Sequence, residues 1–323
     1  MIIPAVLITT GLAILLFGGE ILVRGSASLA KIFKIPNIVI GLTVVAFGTS
    51  MPELIVNIFS AIKGSTEIAI GNVIGSNIAN ILLILGIASI ILPLKVKSAT
   101  TWKEIPMALL AAILILIMGN DAFIDGKITT ELSRSDGLAL LAFFIIFLYY
   151  TFGIAKGDHG KTDETEGDEI KLYSKGKSIL FTLAGIIALF IGGKILVDNA
   201  IILARLAGLS ELLIGATIVA VGTSLPELIT SILAAIHKHD DIAVGNVVGS
   251  NIFNIFWILG LTATMQPLAF APSINVDIAA NVAATMFLFA FMFIHDKHRI
   301  NRWQGILFIL MYIGYLSFVL YRG

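Results

Sequence analysis

Ten long apolar stretches follow one another along the chain, and short segments with charged and turn-forming residues separate them. They fall at about 2–23, 38–62, 67–94, 105–120, 136–155, 178–198, 211–236, 242–266, 276–294 and 303–321. Each is close to the roughly 20 residues that a helix needs to cross the hydrocarbon of a bilayer. Because the apolar residues are continuous and do not alternate with polar ones, the pattern excludes a membrane β-barrel. The chain is therefore predicted to be an all-α membrane protein with ten transmembrane helices.

The longest polar stretch divides these helices into two groups of five. It runs from Lys156 to Lys177 and contains a cluster of acidic residues, a composition typical of a solvated loop. We therefore predict a first five-helix repeat at 1–155, a linker at 156–177 and a second five-helix repeat at 178–323. The first apolar stretch lacks the charged leader and the cleavage pattern of a signal peptide, so we expect it to be the first span.

The distribution of Lys and Arg predicts the orientation of the chain in the membrane. If the N-terminus lies outside, 15 of the 21 Lys and Arg residues fall in cytoplasmic connections and six in outer ones. Positive residues accumulate in the cytoplasmic loops of membrane proteins. We therefore predict a multi-pass protein of the cell membrane with both termini outside and the 156–177 linker in the cytoplasm.

The two halves of the chain repeat one another at a spacing of 174 residues. Segment 41–89 matches 215–263 at 28 of 49 positions without a gap, and 11–40 matches 185–214 at 10 of 30. Since each half has five spans, an odd number, the second half is expected to enter the membrane from the opposite side. This predicts two inverted repeats, an architecture in which secondary transporters place their substrate site near the bilayer midplane.

A glutamate lies in the middle of an apolar span in each half. Glu53 ends the sequence GTSMPE at 48–53, and Glu227 ends GTSLPE at 222–227. A carboxylate at the centre of a membrane helix costs roughly 3 kcal/mol even on the lenient insertion scale, which indicates a function. The proline before each glutamate has no N–H group and frees carbonyl oxygens about four residues earlier. The inverted repeat is expected to bring the two carboxylates together.

The polar atoms around these glutamates are predominantly oxygens, which favours hard cations such as Ca²⁺ and Na⁺. The following helix of each half adds polar residues at i, i+4 and i+8, which share one helix face. These are Asn72, Ser76 and Asn80 in the first half, and Asn246, Ser250 and Asn254 in the second. We expect Asn80 and Asn254 to be ligands. Asn77 and Asn251 lie on another face and are expected to have a structural role.

The composition narrows the function further. The chain is 58% hydrophobic and 13% charged, with a mean hydropathy of +1.00, which is incompatible with a soluble domain. Net charge is zero and there is no basic run, so nucleic-acid binding has no support. Without cysteine there are no disulfides or thiolate metal sites, and no histidine lies mid-span, which argues against haem.

Glu20, Arg24, Lys194 and Asp198 are expected near span ends, where long charged side chains reach the interface.

The doubled motifs resemble the two α-repeats of the sodium/calcium exchanger family, a branch of the calcium/cation antiporters. GTSMPE with GNVIGSNIAN, and GTSLPE with GNVVGSNIFN, carry the resemblance, and the rest of the chain is compatible with it. The short linker is similar to that of prokaryotic members without large regulatory domains. The resemblance implies a secondary active antiporter that exchanges Ca²⁺ for Na⁺ by alternating access, with no cofactor and no enzymatic activity.

The resemblance also implies a set of ion ligands, centred on two glutamates that hold Ca²⁺. The ligands implied are Glu53, Glu227, Thr49, Thr223, Ser50, Ser224, Ser76, Ser250, Asn80, Asn254, Ala46 and Ala220, with the threonines and alanines acting through their carbonyls. Asn254 departs from the family, because many members have aspartate there. With neutral Asn80 and Asn254 the site has a formal charge of −2 from its two glutamates, which disfavours proton coupling through position 254.

Three alternatives remain open at this point. The first is a related proton- or potassium-coupled cation exchanger, the second is a channel, and the third is an intramembrane enzyme that uses two carboxylates as an acid/base pair. The prolines and oxygen-rich surroundings favour coordination over acid/base chemistry. The predicted partners are Ca²⁺ and Na⁺ as substrates and the lipid bilayer. The oligomeric state stays open, and a monomer would suffice.

Overall fold

The computed structural model describes residues 2–124, 126, 130–157, 172–208 and 220–322, and most of these are helical. The helices of the first half are α1 (Ile2–Phe33), α2 (Asn37–Thr49), α3 (Met51–Ile62), α4 (Thr66–Ile91), α5 (Ser98–Met118), α6 (Asp121–Ile124) and α7 (Arg134–Gly157). Those of the second half are α8 (Lys175–Leu206), α9 (Ala220–Thr223), α10 (Leu225–Ile236), α11 (Asp240–Met265), α12 (Ile274–Phe291) and α13 (Arg302–Arg322).

Within these ranges, eight helices are long and apolar enough to cross a bilayer, and the bent pair α2–α3 makes a ninth if it counts as one span. The chain is thus an all-helical, multi-pass membrane protein. Nine of the ten predicted spans coincide with these helices. The tenth, at 211–236, corresponds in its second part to α9 and α10, and its residues 211–219 lie outside the described part of the chain.

Helices α1 and α8 occupy equivalent places in the two halves and pack against each other along their length. A Cβ added to Gly11 would lie 2.8 Å from the backbone nitrogen of Leu196, and one added to Gly25 would lie 2.8 Å from that of Thr182. The residue numbers rise along one helix as they fall along the other, so the two helices are antiparallel. Glycine at these positions allows the two backbones to touch.

The four charged residues that were expected near span ends lie inside the long helices α1 and α8. Both helices continue about ten residues past the predicted ends of their apolar stretches. Arg24 donates to Glu20 at 2.6 Å, and His237 lies 2.8 Å from the same carboxylate. In the second half, Lys194 pairs with Asp198 at 2.9 Å. Each pair is one helical turn apart, so opposite charges satisfy each other without leaving the helix.

Helices α4 and α11 form the centre of the bundle. In α11, 94% of the most apolar window is buried, compared with 28% in α8, so α11 is surrounded by protein rather than by lipid. Both central helices contain a π-helical segment at equivalent positions, Ala79–Leu85 and Phe253–Leu259. Such bulges widen the turn and commonly mark functional sites.

Two short antiparallel strand pairs join the halves at their loops. Strand β1 (Leu94–Lys95) pairs with β4 (Arg299–Ile300), and β2 (Glu131–Leu132) pairs with β3 (Leu268–Ala269). The backbone nitrogen of Lys95 also donates to Asp240 at the start of α11, at 3.0 Å. These contacts hold the ends of the central helices in register.

Candidate cation site

The two glutamate motifs break their helices at the same residue of the repeat. Ser50 has φ −85° and ψ 9°, and Ser224 has φ −85° and ψ 5°. The axes of α2 and α3 differ by 46° at the first break. Pro52 and Pro226 follow in the first turn of α3 and α10, where the missing N–H group is tolerated. Each glutamate therefore begins a helix in the interior of the protein.

Both carboxylates are buried and belong to one cluster. Glu53 and Glu227 are each 1% exposed, and Glu227 is bonded to Ser50, which lies three residues before Glu53. Glu227 Oε1 accepts from the Ser50 hydroxyl at 2.8 Å and from the Ser250 hydroxyl at 3.3 Å. Glu53 Oε1 lies 3.5 Å from the Ser76 hydroxyl. Since Ser50 comes from the opposite repeat, the two halves of the chain share the site.

Four buried oxygens of glutamates and asparagines have no hydrogen-bond partner within the described ranges. They are Oε2 of Glu53 and Glu227 and Oδ1 of Asn80 and Asn254. Asn80 and Asn254 each lie one turn beyond the serine that approaches a glutamate. Buried polar atoms without partners are uncommon because each costs about 1–3 kcal/mol. Carboxylate and carboxamide oxygens are ligands that Na⁺ and Ca²⁺ accept, so the donor set fits the predicted chemistry.

The threonines of the breaks contact asparagines of the opposite repeat. Thr49 Oγ1 donates to Asn246 Oδ1 at 3.0 Å, and Thr223 Oγ1 lies 3.5 Å from Asn72 Oδ1. The Ala46 carbonyl accepts from the backbone nitrogen of Ser50 at 3.0 Å and from the Thr49 hydroxyl at 3.3 Å. Ala220 begins α9. The ligand roles of these threonine and alanine carbonyls stay predictions.

Two polar residues that the sequence analysis passed over hold the backbone of the site. Asn57 Nδ2 donates to the Glu53 carbonyl at 3.0 Å. At the equivalent position, Ser231 accepts at 2.9 Å from Asn246, which also donates to the Glu227 carbonyl at 3.3 Å. A polar residue four positions after each glutamate, within an apolar helix, was the signal that could have identified them.

The two half-sites are in different states although their local backbones are alike. The Ser50 hydroxyl bonds to Glu227, whereas the buried Ser224 hydroxyl has no hydrogen-bond partner among the described residues. A Cβ on Gly19 would lie 2.8 Å from Ile229 of α10, whereas one on the equivalent Gly193 would have no atom of the described part of the chain nearer than 3.8 Å. Helix α1 is thus closed against α10, and α8 stands away from α3.

A cavity of about 270 Å³ occupies the gap between α8 and α3 and reaches the second helix break. Its lining includes Val56 and Gly193, Thr223 and Pro226 of the second helix break, and the charged Lys194. The cavity therefore leads from the α8 surface to the residues that flank Glu227.

Comparison with known proteins agrees with this architecture. Residues 3–153 and 177–321 match the family model described as sodium/calcium exchanger protein. The chain is 34% identical to the putative antiporter CaxA of Alkalimonas amylolytica over 98% of each protein. It is 31% identical to the sodium/calcium exchanger MaX1 of Methanosarcina acetivorans, over 96% of this chain and 97% of MaX1. The fold is also similar to that of the sodium-calcium exchanger NCX_Mj soaked with Na⁺ and Sr²⁺. The two structures superpose with a TM-score of 0.83, and the sequences are 34% identical over 98% of both chains.

Together with these matches, the helical membrane bundle and its buried carboxylate and carboxamide oxygens place the chain in the class of cation antiporters. The chain belongs to the sodium/calcium exchanger family. The family resemblance that rested on the motifs at 48–53 and 222–227 is confirmed. Membership also makes antiport of cations, rather than enzymatic catalysis, the activity of the class.

Proposed function

We propose that this protein exchanges Ca²⁺ for Na⁺ across the cell membrane by alternating access at one central cluster. The observation that carries the proposal is the pair of buried carboxylates, each of which has an oxygen without a hydrogen-bond partner among the described residues, as do the carboxamides of Asn80 and Asn254. Ca²⁺ takes six to eight oxygen ligands in flexible geometry, and such a cluster can supply many of them. The names of MaX1 and NCX_Mj, both sodium/calcium exchangers, support this choice of ions.

The proposed ligands are those implied by the motifs, with the two glutamates at the centre. Glu53 and Glu227 give a formal charge of −2, which one Ca²⁺ neutralises. Asn80 and Asn254 add neutral oxygens. The hydroxyls of Ser50, Ser76, Ser224 and Ser250 and the carbonyls of Thr49, Thr223, Ala46 and Ala220 complete the set for Ca²⁺ or for several Na⁺ ions.

Exchange, rather than uncoupled flow, follows from the charge of the site. Closing the protein over two unpaired carboxylates would place charge in a medium of low dielectric constant, which is costly. Bound Ca²⁺ or several Na⁺ remove this cost and permit closure. The empty site would therefore return across the membrane slowly, and each direction of movement would need an ion.

The asymmetry between the half-sites supports alternating access. In the mirror state, α8 would close on α3 as α1 now closes on α10, and the Ser224 hydroxyl would reach Glu53 as Ser50 now reaches Glu227. The antiparallel contact of α1 with α8 supports an inverted pair of five-helix repeats, ten helices in all. With both termini outside and the linker in the cytoplasm, as we propose, the cavity between α8 and α3 opens to the outside.

Reconstituted transport tests the proposal directly. In proteoliposomes, an outward Na⁺ gradient imposed alone should drive ⁴⁵Ca²⁺ uptake, because the ions compete for one site and move in opposite directions. A K⁺ gradient or a pH gradient imposed alone should drive none. Liposomes without protein provide the baseline.

Other outcomes identify the rival functions. Uptake driven by the pH gradient would replace the proposal with a proton-coupled exchanger, and a K⁺ requirement in addition to Na⁺ would indicate potassium co-transport. Downhill ⁴⁵Ca²⁺ flux that needs no counter-ion would indicate a channel.

A further inference from the structure

Four asparagines form a closed hydrogen-bonded network where α4 crosses α11. Asn77 Nδ2 donates to the backbone carbonyl of Asn251 at 3.2 Å, and Asn251 Nδ2 donates to that of Asn77 at 3.2 Å. Asn254 Nδ2 donates to Asn77 Oδ1 at 2.9 Å, and Asn80 Nδ2 donates to Asn251 Oδ1 at 2.9 Å. All four side chains are at most 3% exposed, so water does not compete for these bonds.

The direction of every bond in the network is set by the two backbone carbonyls. A carbonyl can only accept, so the atom of Asn77 that faces the Asn251 carbonyl must be the NH₂ group. The other end of the Asn77 amide is then an acceptor, and Asn254 must turn its own NH₂ group towards it. The carboxamide oxygen of Asn254 consequently points away from the network, where it has no hydrogen-bond partner. The same sequence of constraints runs from the Asn77 carbonyl through Asn251 to Asn80.

We propose that Asn77 and Asn251 are positioning residues that turn the carboxamide oxygens of Asn254 and Asn80 towards the transported ion. This inference rests on the proposed cation exchange at Glu53 and Glu227. Without the network, each ligand amide could rotate by half a turn and present its NH₂ group, which repels a cation. Residues that orient metal ligands typically change metal affinity by about 10–100-fold when they are removed.

Each orienting asparagine bonds to the ligand asparagine of the opposite repeat. This pattern distinguishes a positioning role from a general contribution to stability. Asn77 orients the ligand of the second repeat, and Asn251 orients that of the first. Asn77 and Asn80 are only three residues apart, yet the side chain of each bonds to Asn251, not to the other. Energetic coupling should therefore follow the hydrogen bonds and not the proximity in sequence.

A double-mutant cycle on ⁴⁵Ca²⁺ binding to the purified protein tests the proposal. Asn77→Leu removes the acceptor for Asn254 and should weaken binding about tenfold. Asn254→Ala should weaken it to a similar extent. The double variant Asn77→Leu/Asn254→Ala should be no more than about twofold weaker than Asn254→Ala, because interacting residues are not additive. Asn251→Leu with Asn80→Ala should behave in the same way.

The uncrossed pair is the matched control. Asn77→Leu with Asn80→Ala should come closer to the product of the two single effects than the crossed pair does, since these side chains share no direct bond and are linked only through Asn251. If the crossed and the uncrossed pairs are equally additive, or if Asn77→Leu binds as the wild type does, the positioning role is refuted. Where the leucine variant is not monodisperse, Asn77→Ser makes the same test, because its hydroxyl is one bond shorter and does not reach the position of Asn77 Oδ1.

The wild type and Glu53→Gln separate this inference from the function on which it rests. If the wild type binds no Ca²⁺, or if Glu53→Gln binds it normally, the proposed site itself is wrong and the positioning role falls with it. If the wild type binds, Glu53→Gln does not, and the crossed pairs are additive, only the positioning role is wrong.

Discussion

Replacing Glu53 or Glu227 by glutamine should reduce Na⁺-driven ⁴⁵Ca²⁺ uptake by a hundredfold or more. Glutamine keeps the shape of the side chain but removes one of the two negative charges that face the ion. In the occupied site each carboxylate forms an ion pair with the bound cation, and removing one partner of a buried ion pair costs about 3–5 kcal/mol. Since 1.4 kcal/mol corresponds to a factor of ten, the loss should be a hundredfold or more. Because the two carboxylates occupy equivalent positions in one shared cluster, both substitutions should have effects of similar size.

Glu67→Gln is the control for this experiment. Glu67 lies on α4 but is exposed, so the same chemical change there should leave uptake within about twofold of the wild type. Each variant is compared at an equal amount of folded protein in the liposomes, so that poor folding or reconstitution does not account for reduced uptake. Near-normal uptake by both Glu53→Gln and Glu227→Gln would refute the assignment of the site.

Valine at Gly19 or at Gly193 should slow exchange by favouring opposite states. A Cβ at Gly19 would lie 2.8 Å from Ile229 and 2.9 Å from Leu233, so Gly19→Val disfavours the described closure of α1 on α10. Gly193 has room for a side chain in the described state but would meet the equivalent α3 residues in the mirror state. Gly193→Val therefore retains the described state. Overpacking costs about 1–3 kcal/mol, enough to shift the equilibrium between the two states about fivefold or more.

Single cysteines can report these states, because the natural sequence contains none. Val56 lines the cavity, whereas Thr230, the equivalent residue of the second repeat, is fully buried. Gly193→Val should speed labelling of Val56→Cys by a thiol reagent and slow that of Thr230→Cys. Gly19→Val should do the reverse. Changes in the same direction at both probes would argue against two mirror-related states.

The glutamates and the repeat could be predicted because both are visible in the order of residues along the chain. A carboxylate within an apolar span stands out, and the 174-residue spacing makes a second copy visible without any structure. The oxygen-rich surroundings of Glu53 and Glu227 follow from the same short motifs. These features need no knowledge of which helices touch.

The lengths of α1 and α8 could not be predicted in this way. Arg24 and Asp198 interrupt the apolar stretches and marked their expected ends. In the structure each is neutralised one turn earlier in the same helix, by Glu20 and Lys194, so the helix continues. Hydropathy alone counts each charge separately and misses such pairs.

The asparagine network and the difference between the half-sites could not be predicted from the sequence either. Asn77 bonds to residues 174 and 177 positions away, and no spacing rule specifies which asparagine meets which across two helices. Ser50 and Ser224 have nearly the same backbone angles but different partners. Equivalent motifs cannot encode which of two mirror states the whole protein adopts, because that depends on how α1 and α8 sit against the rest.

Equilibrium binding of ⁴⁵Ca²⁺ in competition with Na⁺ tests most directly whether one cluster serves both ions. At fixed ⁴⁵Ca²⁺, rising Na⁺ should displace the bound Ca²⁺ completely, with a steepness that indicates more than one Na⁺ for each Ca²⁺. Glu53→Gln and Glu227→Gln should each remove the displaceable binding. Bound Ca²⁺ that persists at saturating Na⁺, or that survives both substitutions, would contradict a single shared site.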